Sequence, residues 1–340
     1  MSGPTSRYDR QIRLNQIGDS GQQAIRQATV AVVGVGALGC VTADLLTRAG
    51  IGRLVLIDRD VVEWSNLQRQ VLYCEADAEA ARPKVEAAQL RLQQVNAEVE
   101  IQPVAVDLTY QNLVEVMADV DLIVDGTDNF STRYLLNDYA VKTGTPYIYA
   151  GVVSTYGMVA SILPPAGPCL RCTYPEPPDA SQAPTCSSAG VLGPAVNVIA
   201  SLATAEAMRV LVGAEAVAGF QYLDLWSRQT QSLKASKDPQ CPCCGAQEWD
   251  WLQGRRGNAV ARVLCGSDTV QIPPPSNRPD LEHVGRKLEG TVTELQSTPH
   301  FLRFQYRALD VMYFADGRAL IRGTADPAFA RTVLAETVGA

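Results

Sequence analysis

The sequence predicts an α/β protein: a doubly wound, mostly parallel sheet with an antiparallel extension, plus a small C-terminal α+β appendage. Three observations predict it. Through the first 150 residues, short apolar runs alternate with helix-length segments. Such alternation builds a parallel sheet covered on both faces. The first run, Thr29 to Val33, is followed by Gly34, Gly36 and Gly39, a spacing that lets a chain leave a strand and enter a helix. Beyond residue 150 the alternation stops, and beyond the CPCCG stretch at 241–245 the style changes again.

Taken in order, Thr29 to Val33 reads as a buried strand, Ala37 to Ala49 as a helix and Arg53 to Ile57 as a second strand. Pro83 to Val95 reads as a helix with proline near its start, where a missing N–H costs nothing. Val99 to Val106 and Leu122 to Val124 are strands, with a helix at about Tyr110 to Met117 between them. Phe130 to Val141 is helical and Tyr147 to Val152 a strand, completing a Rossmann-like pattern. Thr155 to Leu163 and a closing hairpin, Gln221 to Trp226 with Thr230 to Lys234, form the antiparallel extension. Between them lie a proline-rich loop, Pro164 to Pro184, and an apolar stretch, Val191 to Val212. Asn197, Ser201, Thr204, Glu206 and Arg209 interrupt that stretch, so it reads as a buried helix rather than a membrane span. The expected domains are residues 1–248 and the appendage, 258–340. In the appendage PPPSNRP is a linker or long loop. Val311 to Phe314 and Ala319 to Ile321 flank a D-G turn, and Asp326 caps a last helix.

Composition narrows the chemistry. Apolar residues make up 46% of the 340, so the chain is globular. The net charge of −7 argues against nucleic acid as a main partner. The polar start, MSGPTSRYDRQIR, has no signal-peptide core. We therefore expect a cytoplasmic protein, with no membrane partner, whose nine cysteines are thiols or metal ligands. The only two histidines are His283 and His300. A Ser-His-Asp triad, a Cys-His dyad or a histidine acid beside a nicotinamide is excluded from residues 1–282.

The glycines alone state only that backbone N–H groups at a helix start face an anion. Asp58 closes the second strand and suits ribose hydroxyls. NAD and ATP both fit, and for a glycine loop plus an acid the nicotinamide cofactor is the commoner occupant. Four segments shift the balance: RYDRQ with Arg10, WSNLQRQ with Asn66, Arg69 and Gln70, RPKVEAA with Lys84, and DGTDN with Asp128. Each has a bland alternative. Arg69 and Lys84 could be solvated charges, Asp128 could cap the next helix, and Arg10 could sit in a frayed terminus. Together they are the parts a nucleoside triphosphate with Mg²⁺ requires. Asp58 and Asp128 end parallel strands, whose C-terminal ends meet at one edge.

These motifs, in this order, resemble the ThiF/MoeB family of adenylyltransferases, relatives of the ubiquitin-activating enzymes. The resemblance covers residues 7 to about 248. It implies that Asp58 binds the ATP ribose. Asn66, Arg69, Gln70 and Lys84 would contact phosphates, and Asp128 would hold Mg²⁺. Arg10 would reach the triphosphate of the neighbouring protomer in a homodimer. The implied substrate is the C-terminal glycine carboxylate of a ubiquitin-like sulfur carrier of the ThiS or MoaD type. A sulfur donor such as a cysteine desulfurase would act afterwards. Adenylation suits a body without histidine: a C-terminal carboxylate, with a pKa near ~3.5, is already ionised at pH 7 and needs no general base. It needs charge neutralisation on the phosphates.

Cys169 and Cys172, in PCLRC, and Cys241 and Cys244, in QCPCCG, form two C-x-x-C knuckles. With no histidine nearby they predict a structural four-thiolate zinc site. The alternatives are unrelated thiol pairs or redox dithiols, and Cys243 competes with Cys244 as ligand. Cys186 aligns with the family's candidate sulfur-transfer cysteine; otherwise it is an inert small residue before a helix. Cys40 is expected in the core.

The leading reading is ATP-dependent adenylation of a ThiS-type carrier for thiamine thiazole synthesis. LCGSDTVQIPPP and FADGRALIRGT resemble the tail of the longer ThiF-type enzymes of some bacteria. Activation of the molybdopterin-synthase carrier, as by MoeB, is the runner-up. An NAD-dependent oxidoreductase and a non-catalytic zinc scaffold are the other classes. The scaffold would not need Arg69, Lys84 and Asp128.

Overall fold

The computed structural model describes residues 7–178, 189–215, 219–256, 268–275 and 278–339, and the backbone of 262–263. The chain divides into two compact units, 1–257 and 258–340.

In the first unit, helices α1 (Asp9–Ile12) and α2 (Gly18–Gln27) precede an eight-stranded sheet. Its strands are β1 (Thr29–Val33), β2 (Arg53–Ile57), β3 (Glu100–Val104), β4 (Leu122–Asp125), β5 (Tyr147–Val153), β6 (Tyr156–Ile162), β7 (Phe220–Asp224) and β8 (Gln229–Leu233). They lie in the order β3-β2-β1-β4-β5-β6-β7-β8. Neighbours from β3 to β5 are parallel, and those from β5 to β8 antiparallel. After Thr29 and Arg53 the runs TVAVV and RLVLI are apolar and buried throughout because both of their faces are covered. β8, QTQSL, is polar because it is an exposed edge.

Alternate residues of each strand enter opposite layers. Val30, Val32, Leu54, Leu56 and Val124 face one core, with α3 (Ala37–Ala49), α4 (Glu75–Glu79), α5 (Lys84–Val95) and the helix Gly193–Leu211. Ala31, Val33, Val55, Ile57 and Ile123 face the other, with α6 (Leu113–Val116), α7 (Phe130–Thr143) and α8 (Leu170–Thr173). The long helix Gly193–Leu211, α9, buries Ile199, Ala203 and Ala207 against the first core. No helix of the described residues is long and apolar enough to cross a membrane.

Two local expectations need correction. Pro83 stands outside α5 as its N-cap, with ψ 132, because Val61 bridges to it and the Lys84 N–H donates to the Asp60 carbonyl at 2.9 Å. The segment Tyr110 to Met117 is helical only at Leu113–Val116. There the Asn112 amide accepts from Thr109 N and donates to the Asp107 carbonyl, a local bonding pattern that competes with a helix.

The N-terminal segment is docked, not frayed. Gly50 ends α3 at φ +80, and a Cβ there would meet the Tyr8 ring. Tyr8 is buried and its hydroxyl accepts from Asn96 Nδ2 at 2.8 Å. Gln11 and Gln22 both donate to the Ala49 carbonyl, satisfying the end of α3.

The second unit is a six-stranded sheet in the order β11-β12-β13-β14-β10-β9, antiparallel throughout. The strands are β9 (Arg262–Val263), β10 (Thr269–Ile272), β11 (Thr293–Ser297), β12 (Phe301–Tyr306), β13 (Leu309–Phe314) and β14 (Ala319–Arg322). Helices α10 (Leu281–Leu288) and α11 (Pro327–Thr337) bury Leu288, Val333 and Leu334 against Phe304, Val311 and Ile321. The D-G turn joins β13 to β14 with Gly317 at φ +88, and Asp326 accepts from Ala328 N and Phe329 N as the N-cap of α11.

Tyr8→Ala removes a buried ring and its hydrogen bond, so it should cost about 3 kcal/mol of stability. Urea unfolding checks this, and a change below about 1 kcal/mol would contradict the docking of the N-terminus.

Candidate active site

β1 lies between β2 and β4, where the strand order reverses, and ligands of such sheets bind at that crevice. The loop after β1 and the loop after β4 meet there. Gly34 has φ +84, and a Cβ on it would lie 2.7 Å from the Gly126 carbonyl. A Cβ on Gly39 or on Gly126 would collide with the Gly34 carbonyl oxygen. These three glycines therefore serve backbone-to-backbone packing. Gly36, the N-cap of α3, differs: the nearest atoms to a Cβ there, Gly126 O and Gln70 Nε2, are 3.9 and 4.0 Å away. It is the glycine of the loop whose side-chain position is not blocked by backbone.

Each loop is tied by a carboxylate. Asp58 Oδ2 accepts from Val35 N at 2.7 Å, and Oδ1 accepts from Asp60 N at 2.8 Å. Burial pushes the Asp58 carboxyl above its ordinary range, against the pull of Lys84. Asp125 accepts from Thr127 N, Thr127 Oγ1 and the Tyr147 hydroxyl, which holds the DGTDN turn. Arg133 reaches Asp125 at 3.4 Å and donates to the Thr127 carbonyl at 2.8 Å. Gly126, Asp125 and Arg133 were not singled out from the sequence; a glycine inside DGTDN directly after a strand was the available signal.

The expected charges gather on this edge. Lys84 is 7% exposed at the start of α5, with Nζ 3.2 Å from Asp60 Oδ2. Burial works to lower its pKa, but Asp60, Asp58 and Asp128 outweigh burial and raise it, so the ammonium stays charged. Arg59 pairs with Asp107 at 3.0 Å. Asn129, not Asp128, caps α7, accepting from Thr132 N at 2.9 Å. Asp128 is thereby an exposed carboxylate whose charge acts on both Lys84 and Arg59.

Asn66 ends a short 3-10 turn, Trp64–Asn66, and Arg69 and Gln70 follow it. Asn66 is buried and its Oδ1 accepts from Glu63 N. Half-buried Arg69 donates to the Ser65 carbonyl at 2.8 Å. Gln70 is buried over Gly36, and its Oε1 has no hydrogen-bond partner among the described residues. Arg10 is exposed on α1, beside the C-terminal end of α3, whereas Gly36 caps the other end. A 13-residue helix is about 20 Å long. Arg10 therefore stands away from the glycine loop of its own chain.

Cys169, Cys172, Cys241 and Cys244 place their sulfurs within 4.8 Å of one another. The sulfur separations are 3.6 Å for Cys169–Cys241, 3.4 Å for Cys172–Cys244 and 3.9 Å for Cys169–Cys172. A tetrahedral zinc with Zn–S bonds of about 2.3 Å has edges of about 3.8 Å, so the cage fits that ion. Cys243 turns to α7, its sulfur accepting from Asn137 Nδ2 at 3.3 Å. Asn137 Oδ1 accepts from Leu170 N, and Asp138 accepts from Trp251 N. One helix thus carries both knuckles. Cys40 is buried in the first core, and Cys186 lies outside the described residues.

A family model described as the ThiF family matches residues 8–243. The sulfur carrier protein ThiS adenylyltransferase of Bacillus subtilis (strain 168) is 37% identical over 338 residues, 98% of this chain and 100% of that protein. A sulfur carrier protein adenylyltransferase of Thermus thermophilus is 42% identical over 246 residues, 70% of this chain and 90% of that one. Among solved structures, Escherichia coli MccB with ATP superposes with a TM-score of 0.63 at 25% identity, covering 70% of this chain and 74% of that one. Fold and relatives define an adenylyltransferase, an enzyme that uses ATP. The chain belongs to the ThiF family.

Cys244→Ser should remove bound zinc and lower stability, while Cys243→Ala should keep one zinc per chain. Elemental analysis of both variants checks this. Zinc retained in the Cys244 variant and lost in the Cys243 variant would reverse the ligand assignment.

Proposed function

We propose that this enzyme adenylates the C-terminal glycine carboxylate of a ubiquitin-like sulfur carrier of the ThiS type, releasing pyrophosphate. One observation carries the choice of carrier. The likeness to the Bacillus subtilis ThiS adenylyltransferase runs through the second unit, over 98% of the chain. The mosquito and zebrafish adenylyltransferase and sulfurtransferase MOCS3 relatives align with 70% or less of the chain and the shorter Escherichia coli ThiS adenylyltransferase with 72%, so the support for the ThiS type is the full-length match to the Bacillus subtilis protein.

The geometry supports the chemistry. The ATP phosphates would lie over Gly36 and the start of α3, where unpaired backbone N–H groups and the helix dipole favour an anion. Lys84, held charged by its acidic neighbours, would neutralise phosphate charge. Arg69 and Gln70 would approach the same phosphates, and Asp58 the ribose. Mg²⁺, held by Asp128, would screen the triphosphate and stabilise the departing pyrophosphate. The carrier carboxylate, ionised without a base, would attack the α-phosphorus in line with that leaving group. Arg10, displaced from its own loop, would serve the site of a second copy in a homodimer.

A partly exposed aromatic face on the antiparallel half of the sheet would receive the carrier. The Tyr156 and Tyr222 rings meet tilted by 37°, with centroids 5.6 Å apart, and Met158 lies beside Tyr222 across the strands. Cys186 would act only afterwards, in sulfur transfer supplied by a donor such as a cysteine desulfurase. The zinc is structural: four thiolates leave it no open position.

ATP–pyrophosphate exchange should require both Mg²⁺ and a Gly-Gly-ended carrier, with a ThiS-like carrier favoured over a MoaD-like one. Lys84→Ala and Asp128→Ala should each lower exchange by roughly a hundredfold or more. Cys186→Ala should leave exchange intact. Absence of exchange with every carrier would sink the reading, and preference for the MoaD-like carrier would move it to the MoeB type.

A further inference from the structure

We infer that Tyr73 is a positioning residue that aims the Gly36 N–H at the nucleotide phosphates. The inference rests on the nucleotide reading of this site and goes beyond the residues assigned above. Tyr73 follows the WSNLQRQ motif by three residues and is buried against the glycine loop. Its hydroxyl donates to the Val35 carbonyl at 2.6 Å, a short hydrogen bond between two buried groups. Cys40 Sγ makes a weaker, longer approach to the same oxygen, at 3.4 Å.

The consequence lies in the peptide plane. The Val35–Gly36 bond is trans, the only cis bond among the described residues being Pro164–Pro165. In a planar trans peptide the carbonyl of one residue and the N–H of the next point in opposite directions. Drawing the Val35 oxygen toward Tyr73 therefore turns the Gly36 N–H away from Tyr73 and out of the core. Among the described residues no protein group accepts that N–H. On the other side of Val35, its own N–H is held by Asp58 Oδ2 at 2.7 Å. Val35 is thus gripped at both ends, and the free donor at the head of α3 is set before any ligand arrives. Preorganised donors of this kind spare the ligand the cost of ordering them.

Gln70 supplies an independent sign that polar contacts are completed from the open side. Its amide is buried beside Gly36, with Oε1 unpartnered among the described residues. Tyr73 itself touches no ligand; its role runs through the Val35–Gly36 peptide.

The test is Tyr73→Phe, which keeps the ring and removes only the hydroxyl. Calorimetric titration of the full chain with ATP·Mg²⁺ and, separately, with adenosine gives the readout. Loss of one neutral hydrogen bond should weaken ATP by roughly three- to tenfold. Adenosine, which lacks phosphates, should bind the variant as it binds the wild type. The KM for ATP in exchange should rise, while the KM for the carrier stays unchanged. Equal ATP affinity in wild type and variant would overturn the inference. So would an equal fall for ATP and adenosine, which would mark a general structural role. A wild type that binds no nucleotide would instead defeat the site reading, and this inference with it.

Discussion

The Gly34 and Gly126 backbones meet where β1 and β4 run side by side, with no room for a side chain between them. That contact brings two loops, 92 residues apart in sequence, to one edge of the sheet. Asp58 and Asp125 then fix each loop by accepting from backbone N–H groups, and Tyr73 fixes the peptide between. The rest of the candidate site hangs on this frame. Lys84 is in place because the segment before α5 is stitched to Asp60, and Asp128 because its loop continues from Gly126. A methyl group at Gly126 would part the loops and carry the charges with them.

α7 extends the frame to the metal cage. Asn129 caps its first turn next to Asp128, and Asn137, two turns on, bonds both segments that carry the four cysteines, through Leu170 N and Cys243 Sγ. The cysteine knuckles, which could share one metal ion, therefore lie where the chain returns after β6 and after β8 to the same helix that borders the site. On the opposite face α3 runs from Gly36 to Gly50, and its far end is closed by Tyr8, Gln11 and Gln22. The N-terminal segment that carries Arg10 is built onto that far end.

The buried strands were legible because runs such as TVAVV and RLVLI have one explanation, burial on both faces. The cysteine cage was legible from two C-x-x-C spacings with no histidine nearby, whereas the choice of Cys244 over Cys243 needed the structure, which buries Cys243 against Asn137 of α7. Asp58, Lys84 and Asp128 were ambiguous one by one and stood out from the sequence only as a set with a family resemblance, and the fold brings their charges within reach of one another. Other features were not legible. Gly126 does in packing what Gly34 does, but one glycine in DGTDN carries no spacing signal. Tyr73 and Arg133 act through backbone carbonyls, which a sequence does not display. In the second unit β11, TELQS, is an edge strand with mostly exposed side chains, so neither a period of two nor an apolar run marked it. Arg10 could be named by resemblance, but its separation from its own glycine loop required the docking of Tyr8.

The central claim is that ATP transfers its adenylyl group to a carrier's C-terminal carboxylate and releases pyrophosphate, rather than being cleaved at its γ-phosphate. Mass spectrometry of a ThiS-like carrier incubated with the enzyme, ATP and Mg²⁺, without a sulfur donor, tests it most directly. The account predicts AMP joined to the C-terminal carboxylate and pyrophosphate released in equal amount. An unmodified carrier, with ADP and orthophosphate as the products, would contradict it.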